Sequence, residues 1–293
     1  MRLKSKRSWL FDCLNPMLKQ RIITALLLLV FFLPALFSSQ PEWLGIVGLI
    51  LVLAGAWEWG RLNGLGFMKA FTLSAGCLVI FLVLWLLGFA GKQSIYFWLT
   101  TSLFWILIST YFLKSGVDSW KQIHFIIRNL VGLVLLSSTG LAFYQAKLTG
   151  TSYITSILLL VWVADIAAFF VGRRFGKNKL APSISPGKSI EGLLGGIVAV
   201  WFLAYAWIEL AKYFPNLDNS IFHKLSSHSL LAMLTVLTFL TFTSAVGDLF
   251  ESLIKRSAGM KDSSQLLPGH GGVLDRLDAL LPVLPLALLL TFF

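Results

Sequence analysis

Apolar runs of about 20 residues recur from one end of this chain to the other, the length a helix needs to cross a bilayer core of about 30 Å. Lipid-exposed backbone must satisfy its own hydrogen bonds, which limits such runs to helices or closed barrels. A barrel needs alternating apolar and polar residues, and the runs here are continuous Leu, Phe, Val and Trp. Only 13% of the 293 residues are charged and 57% are hydrophobic, against about 25% charged in a soluble domain. The sequence therefore predicts an all-α, polytopic membrane protein. Nine spans are expected, at about 22–38, 43–60, 71–90, 95–113, 127–146, 152–171, 193–213, 229–250 and 277–293. Together they read as a single membrane domain over 1–293, with spans 1–5 (about 22–146) a scaffold and spans 6–9 (about 152–293) the part that carries chemistry.

The basic residues orient this map. With the N-terminus cytoplasmic, 20 of the 24 lysines and arginines fall in cytoplasmic segments; only Lys92, Lys147, Lys212 and Lys224 lie opposite. That asymmetry is the one expected of cytoplasmic loops. It accounts for the net charge of +11 without nucleic acid as a partner. The basic N-terminus ahead of an apolar run has the outline of a signal peptide, but no small-x-small cleavage site follows, so a retained first span is expected. The cysteines, Cys13 and Cys77, match no metal or redox spacing.

Two cytoplasmic loops break the apolar pattern. Between spans 8 and 9 runs KRSAGMKDSSQLLPGHGGVLDRLD, residues 255–278. Five acidic residues, Asp248, Glu251, Asp262, Asp275 and Asp278, gather in and around it. On a helix Asp248, Ser252 and Lys255 share one face, and Asp275 and Asp278, three apart, share another. Paired carboxylates with hydroxyl neighbours suit a hard cation such as Mg²⁺, which takes oxygen ligands and usually also touches substrate phosphates. The competing interpretation is salt bridging, Asp275 with Arg276 and Glu251 with Lys255. Gly269, Gly271 and Gly272 around His270 permit a turn whose N–H groups can hold an anion, with Lys255, Arg256, Lys261 and Arg276 about it. Between spans 6 and 7, Asp165 lies within an apolar run, where a carboxylate costs about 2.5–3.5 kcal/mol and by default marks function. Downstream, Ser185 before Pro186 resembles a helix N-cap. With Lys188 beside it, this forms a second candidate phosphate site.

The same residues carry a resemblance. The chain is similar to the phosphatidate cytidylyltransferases, whose signature is matched by Ser252, Lys255, Arg256, Lys261, Asp262, Pro268, His270, Gly271, Gly272, Asp275, Arg276 and Asp278. The upstream FGKNKLAPSISPGKS segment resembles the family too, with Asn178 where His is common and Ser189 where Thr is common. The resemblance implies transfer of a cytidylyl group from CTP to phosphatidic acid, in a multi-pass homodimer embedded in membrane lipid with its active site on the cytoplasmic face. It implies catalytic roles for Asp248, Asp275, Lys255, Arg256 and His270. Substrate binding would fall to Ser185, Lys188, Ser189, Ser252, Lys261, Asp262, Gly271, Gly272 and Arg276. Asp248 and Asp275 would hold Mg²⁺, with Asp278 and Asp165 as further candidate ligands and K⁺ as a candidate second cation. Two alternatives stay open at this point: an ion-coupled transporter, which intramembrane Asp165 and the glycine-rich breaks would suit, and a nucleotidyltransferase acting on another lipid phosphate.

Overall fold

The computed structural model describes residues 16–89, 91 and 94–292. Cys13, Lys92 and the basic residues ahead of Pro16 lie outside them. Among the described residues, eight helices are long and apolar enough to cross a membrane: α1 (Pro16–Phe37), α2 (Pro41–Leu62), α3 (Phe67–Leu86), α4 (Ile95–Ser115), then, after the short α5 (Val117–Gln122), α6 (Phe125–Thr149), α7 (Thr151–Phe175) and α8 (Ile190–Ala211), and, after the short α9 (Ile221–Ser226), α10 (Leu230–Ser257). These are the first eight expected spans. Side chains such as Phe31, Leu86 and Phe202 stand fully outward, as lipid-facing positions must, while polar tips turn inward to partners. Lys147, buried, donates from Nζ to Leu36 O at 2.6 Å and so caps the end of α1.

The ninth span is built differently. Residues 274–292 form a one-turn helix, α11 (Leu274–Leu277), then α12 (Leu280–Leu289) and a 3₁₀ turn to Phe292. Their combined length would be about 28 Å at 1.5 Å per residue, enough to span, but the helix is interrupted at Asp278 and Ala279. Pro282 lacks the N–H that the Asp278 carbonyl would accept four residues upstream, and Pro285 sits inside α12. Every residue of α12 is buried, packed among α4, α6 and α10. A helix apolar all round belongs in the interior, and this one is the axis of the bundle.

An aromatic cluster sets α2 and α10 against each other. Phe250 of α10 meets Trp59 (6.3 Å between centroids), Trp105 (5.9 Å) and Trp120 (5.5 Å). The indole N–H groups of two of these are satisfied, Trp59 by Arg128 O at 3.0 Å and Trp120 by Asn63 Oδ1 at 2.7 Å. The acids flanking these rings in sequence, Glu58 beside Trp59 and Asp248 and Glu251 about Phe250, are thereby held at one end of the bundle.

A two-stranded hairpin, β1 (Lys179–Ala181) with β2 (Ser185–Ser189), closes the loop between α7 and α8, Lys179 facing Ser189 and Ala181 facing Ser185. This corrects the expected cap. Ser185 lies in a strand, and the N-cap of α8 is Ser189, whose Oγ accepts Gly192 N–H at 3.1 Å. The reason is Glu191: its carboxylate accepts the N–H groups of Lys177 and Asn178 and the Asn178 amide at 2.8–3.2 Å, tying the strand entry to the helix start.

Candidate active site

Lys255 is the hub of the acid cluster. In the last turn of α10 and 8% exposed, it places Nζ 2.5 Å from Glu251 Oε2 and 2.6 Å from Asp275 Oδ1. Burying a charge costs several kcal/mol unless it is paired, so the lysine and the two acids hold one another in place and draw α11 onto α10. The expected Glu251–Lys255 pair is therefore present. The expected Asp275–Arg276 pair is not: Arg276 turns outward and donates to His270 O.

Asp275 is saturated on its other oxygen. Oδ2 accepts Gly272 N–H at 2.8 Å, Ser263 N–H at 3.0 Å and lies 3.0 Å from Ser263 Oγ. Burial alone would push its pKa up; Lys255 and these donors outweigh that, and the carboxyl sits below the ordinary value. It is ionised at neutral pH. The glycines of the loop are required by this geometry. Gly271 has φ of +83°, and a methyl group on Gly272 would fall 1.9 Å from Ser263 Oγ and 2.6 Å from Glu58 Oε1.

A second lysine holds the second group. Lys188, projecting from β2, lies 2.6 Å from Asp248 Oδ2 and donates to Ala245 O at 3.3 Å. Ser252 Oγ donates to Asp248 Oδ1 at 3.3 Å, the shared helix face that the spacing predicted. Asp165 of α7 and Asp278 both feel Asp248 and Lys188 electrostatically. Asp165 lies ten residues before Phe175, about 15 Å from the end of α7 by helical rise, because the helix runs on past its apolar portion to Phe175. Five carboxylates thus gather about two lysines. Among the described residues no three His, Cys, Asp or Glu side chains converge on one point as a metal cage.

Five of the remaining predicted residues line a neighbouring cleft of about 830 Å³. It does not contain Asp248 or Asp275 but adjoins Asp275 through Gly271, which approaches Asp275 Oδ2. Lys261, Asp262, His270, Gly271 and Arg276 line it, joined by Gln20 and Arg21 of α1. Arg21 Nε donates to Gly269 O at 3.0 Å and Thr24 Oγ1 to Pro268 O at 2.9 Å. Burial, with Arg276 and Arg21 close by, pushes the His270 imidazole below its ordinary value, leaving it neutral at pH 7. Arg256 faces elsewhere: it donates to Ile184 O at 3.3 Å and Met260 O at 3.2 Å, bracing the hairpin against the end of α10.

Sequence reasoning missed two contributors. Arg21 looked like one more basic residue at a membrane boundary. Glu58, on α2, accepts from the backbone and serines of the glycine loop. Its signal was available: a carboxylate inside an apolar span is as costly at 58 as at 165.

The model of the cytidylyltransferase family matches residues 19–293. The phosphatidate cytidylyltransferase of Haemophilus influenzae is 34% identical over 94% of this chain and 99% of its own length. That of Pseudomonas aeruginosa is 38% identical over 92% of this chain and 95% of its own. That of Staphylococcus aureus is 31% identical over 92% and 97%.

Substituting Gly272→Ala tests the packing of the loop. Overpacking of this kind costs about 1–3 kcal/mol, so the unfolding temperature in detergent is expected to fall. Gly187→Ala, whose methyl meets no atom within 4 Å, is expected to leave it unchanged. Equal unfolding temperatures for the two variants would show that the loop yields freely.

Proposed function

The chain belongs to the cytidylyltransferase family, and from that membership we propose that it transfers the cytidylyl group of CTP to phosphatidic acid, giving CDP-diacylglycerol and pyrophosphate. The observation that carries this reading is the pairing of the lysine-bridged carboxylate cluster with the cationic cleft beside it. The substrates need no protein nucleophile. A phosphate oxygen of phosphatidic acid, ionised at neutral pH, attacks the α-phosphorus of CTP. The bond from that phosphorus to the bridging oxygen breaks, and the electron pair leaves on pyrophosphate. The difficulty is to bring two polyanions into line, and positioning with charge neutralisation is the general remedy in phosphoryl transfer.

The chain has groups for both tasks. Lys261, Arg276 and Arg21 offer positive charge in the cleft, which is polar and bordered by the first turns of α1, and so suits the water-borne triphosphate. Lys188 and Lys255 sit where the reacting phosphates would meet, each already orienting a carboxylate. Arg256 keeps the hairpin and Lys188 in place. His270, neutral, lines the cleft beside Lys261 and Arg276.

The donor set fits a divalent cation. Asp165, Asp248, Glu251, Asp275 and Asp278 outnumber Lys188 and Lys255 by three groups. Glu251 Oε1 is buried without a hydrogen-bond partner among the described residues. Mg²⁺ commonly binds through one or two carboxylates plus substrate phosphates rather than an all-protein cage. Asp248 and Asp275 would hold it, with Asp278 and Asp165 near, and a monovalent ion such as K⁺ would offset the charge that remains. When bound, the metal supplies Lewis-acid polarisation of the phosphoryl oxygens.

The reaction is tested with purified chain in detergent, supplying phosphatidic acid with each of the four ribonucleoside triphosphates and following pyrophosphate. CTP is expected to support lipid-dependent release at least about tenfold faster than ATP, the ratio that a 1.36 kcal/mol preference gives. Equal rates with ATP or GTP would remove the cytidylyl assignment.

The basic loops, and with them the active site, are assigned to the cytoplasm. In a Cys13→Ser background, Ser183→Cys and Gln265→Cys should react with an impermeant thiol reagent from the cytoplasmic side and Ser227→Cys from the other. Labelling of all three from one side would overturn the map.

A further inference from the structure

Glu58 belongs to the part of the chain that the sequence marks as scaffold, yet every hydrogen bond it accepts comes from the loop that carries the chemistry. It is completely buried. Oε1 accepts Val273 N–H at 2.9 Å and Ser264 Oγ–H at 2.5 Å; Oε2 accepts Leu274 N–H at 2.6 Å and lies 2.9 Å from Ser263 Oγ. Among the described residues, no lysine or arginine pairs with it. A buried carboxylate without a counter-ion is expensive, and here the donors of residues 263–274 supply the whole compensation.

Two of those donors decide the position of Asp275. The amides of Val273 and Leu274 open the one-turn helix on which Asp275 sits, and their direction fixes the direction of that turn. Ser263 stands between the two acids, its hydroxyl 2.9 Å from Glu58 Oε2 and 3.0 Å from Asp275 Oδ2, its amide donating to Asp275 Oδ2 at 3.0 Å. One hydroxyl carries one proton, so the two carboxylates compete for it while sharing the same residue. Glutamine could not replace the acid at this point, because its amide would turn hydrogens toward N–H groups. Gly272 completes the arrangement, since any side chain there would collide with both Ser263 Oγ and Glu58 Oε1.

We propose that Glu58 is a positioning residue: it fixes Asp275 through Ser263 and the Val273–Leu274 amides, and it makes α2 part of the active site. This rests on the assignment of Asp275 to the reacting phosphates. Loss of Glu58 leaves the bundle assembled, because the aromatic cluster and α12 hold it, but frees the turn that aims Asp275. A displacement of about 1 Å in such a group can cost a hundredfold in rate.

The test uses the full chain in detergent as wild type, Glu58→Gln, Glu58→Asp, Ser263→Ala and the double variant Glu58→Gln/Ser263→Ala. Three quantities are followed: kcat and KM for CTP, unfolding temperature, and amide hydrogen exchange. Glu58→Gln should lower kcat at least about thirtyfold and Ser263→Ala about tenfold, within the loss that misplacement allows, with KM for CTP within about twofold. Glu58→Asp, which keeps the charge but withdraws it by one methylene, should recover part of kcat. The double variant should be little worse than Glu58→Gln alone, since both changes cut one path. Exchange at Val273 and Leu274 should quicken in Glu58→Gln while α7 and α8 are unchanged. Independent, multiplicative losses, or a kcat that merely follows unfolding temperature, would assign Glu58 to stability alone. If Glu58→Gln does not fold, Ser263→Ala decides the matter: wild-type kcat in that variant overturns the proposal. If the wild type releases no pyrophosphate from CTP, the assigned reaction fails, and the exchange data still report whether Glu58 holds the loop.

Discussion

The ion pair from Lys255 to Glu251 and Asp275 is the contact on which the arrangement of the active end depends. It joins the last turn of α10 to the first structure after the glycine loop, across 20 residues. Removing the lysine would leave buried Glu251 unpaired and Asp275 with its loop donors alone, a loss of about 3–5 kcal/mol for a broken buried pair. Because the pair is expensive to break, the loop between has one way to close. It must bring Ser263 and Gly272 N–H groups to Asp275 Oδ2, and that in turn requires glycine at 271 and 272. The charged motif is thus one connected object rather than a set of separate ligands.

The bundle around it serves to keep this object in register. Phe250, packed by Trp59, Trp105 and Trp120, sits between Asp248 and Glu251 in sequence. Its burial orients both acids: Asp248, two residues before it, turns toward Lys188, and Glu251, next after it, turns toward Lys255. The buried α12 and its proline break give α11 its separate direction. An uninterrupted helix from Leu274 would have held Asp275 and Asp278 in fixed phase with the axis of the bundle. The break instead leaves Asp275 to follow the loop and Asp278 to stay near Asp248.

Much of this was legible, and the boundary is physical. Apolar runs of bilayer length identify spans because lipid leaves the backbone few options. The helix face shared by Asp248 and Ser252 could be read because spacing on a helix is local. The signature from Ser252 to Asp278 located the loop for the same reason. What could not be read depends on partners far away in the chain. The acids of the motif choose Lys255 and Lys188, not the adjacent Arg276, because burial favours the lysines already held by α10 and β2. The cap of α8 moved from Ser185 to Ser189 because Glu191 pulls the strand entry onto the helix. Glu58 and Arg21 were invisible because contacts over 205 to 248 residues leave no periodic trace.

The central claim is that Asp248 and Asp275 together form the reaction centre, each oriented by a lysine and each needed to bring the two phosphates together. Turnover against Mg²⁺ concentration for wild type, Asp248→Asn and Asp275→Asn, with thermal unfolding as the control for folding, tests it most directly. Asparagine keeps the size and removes the charge. The account predicts a fall of at least about a hundredfold in turnover for each variant, about 2.7 kcal/mol of lost transition-state stabilisation, with the fold retained. Near-normal turnover of both variants at low Mg²⁺ would contradict it and reduce the acid cluster to a set of structural salt bridges.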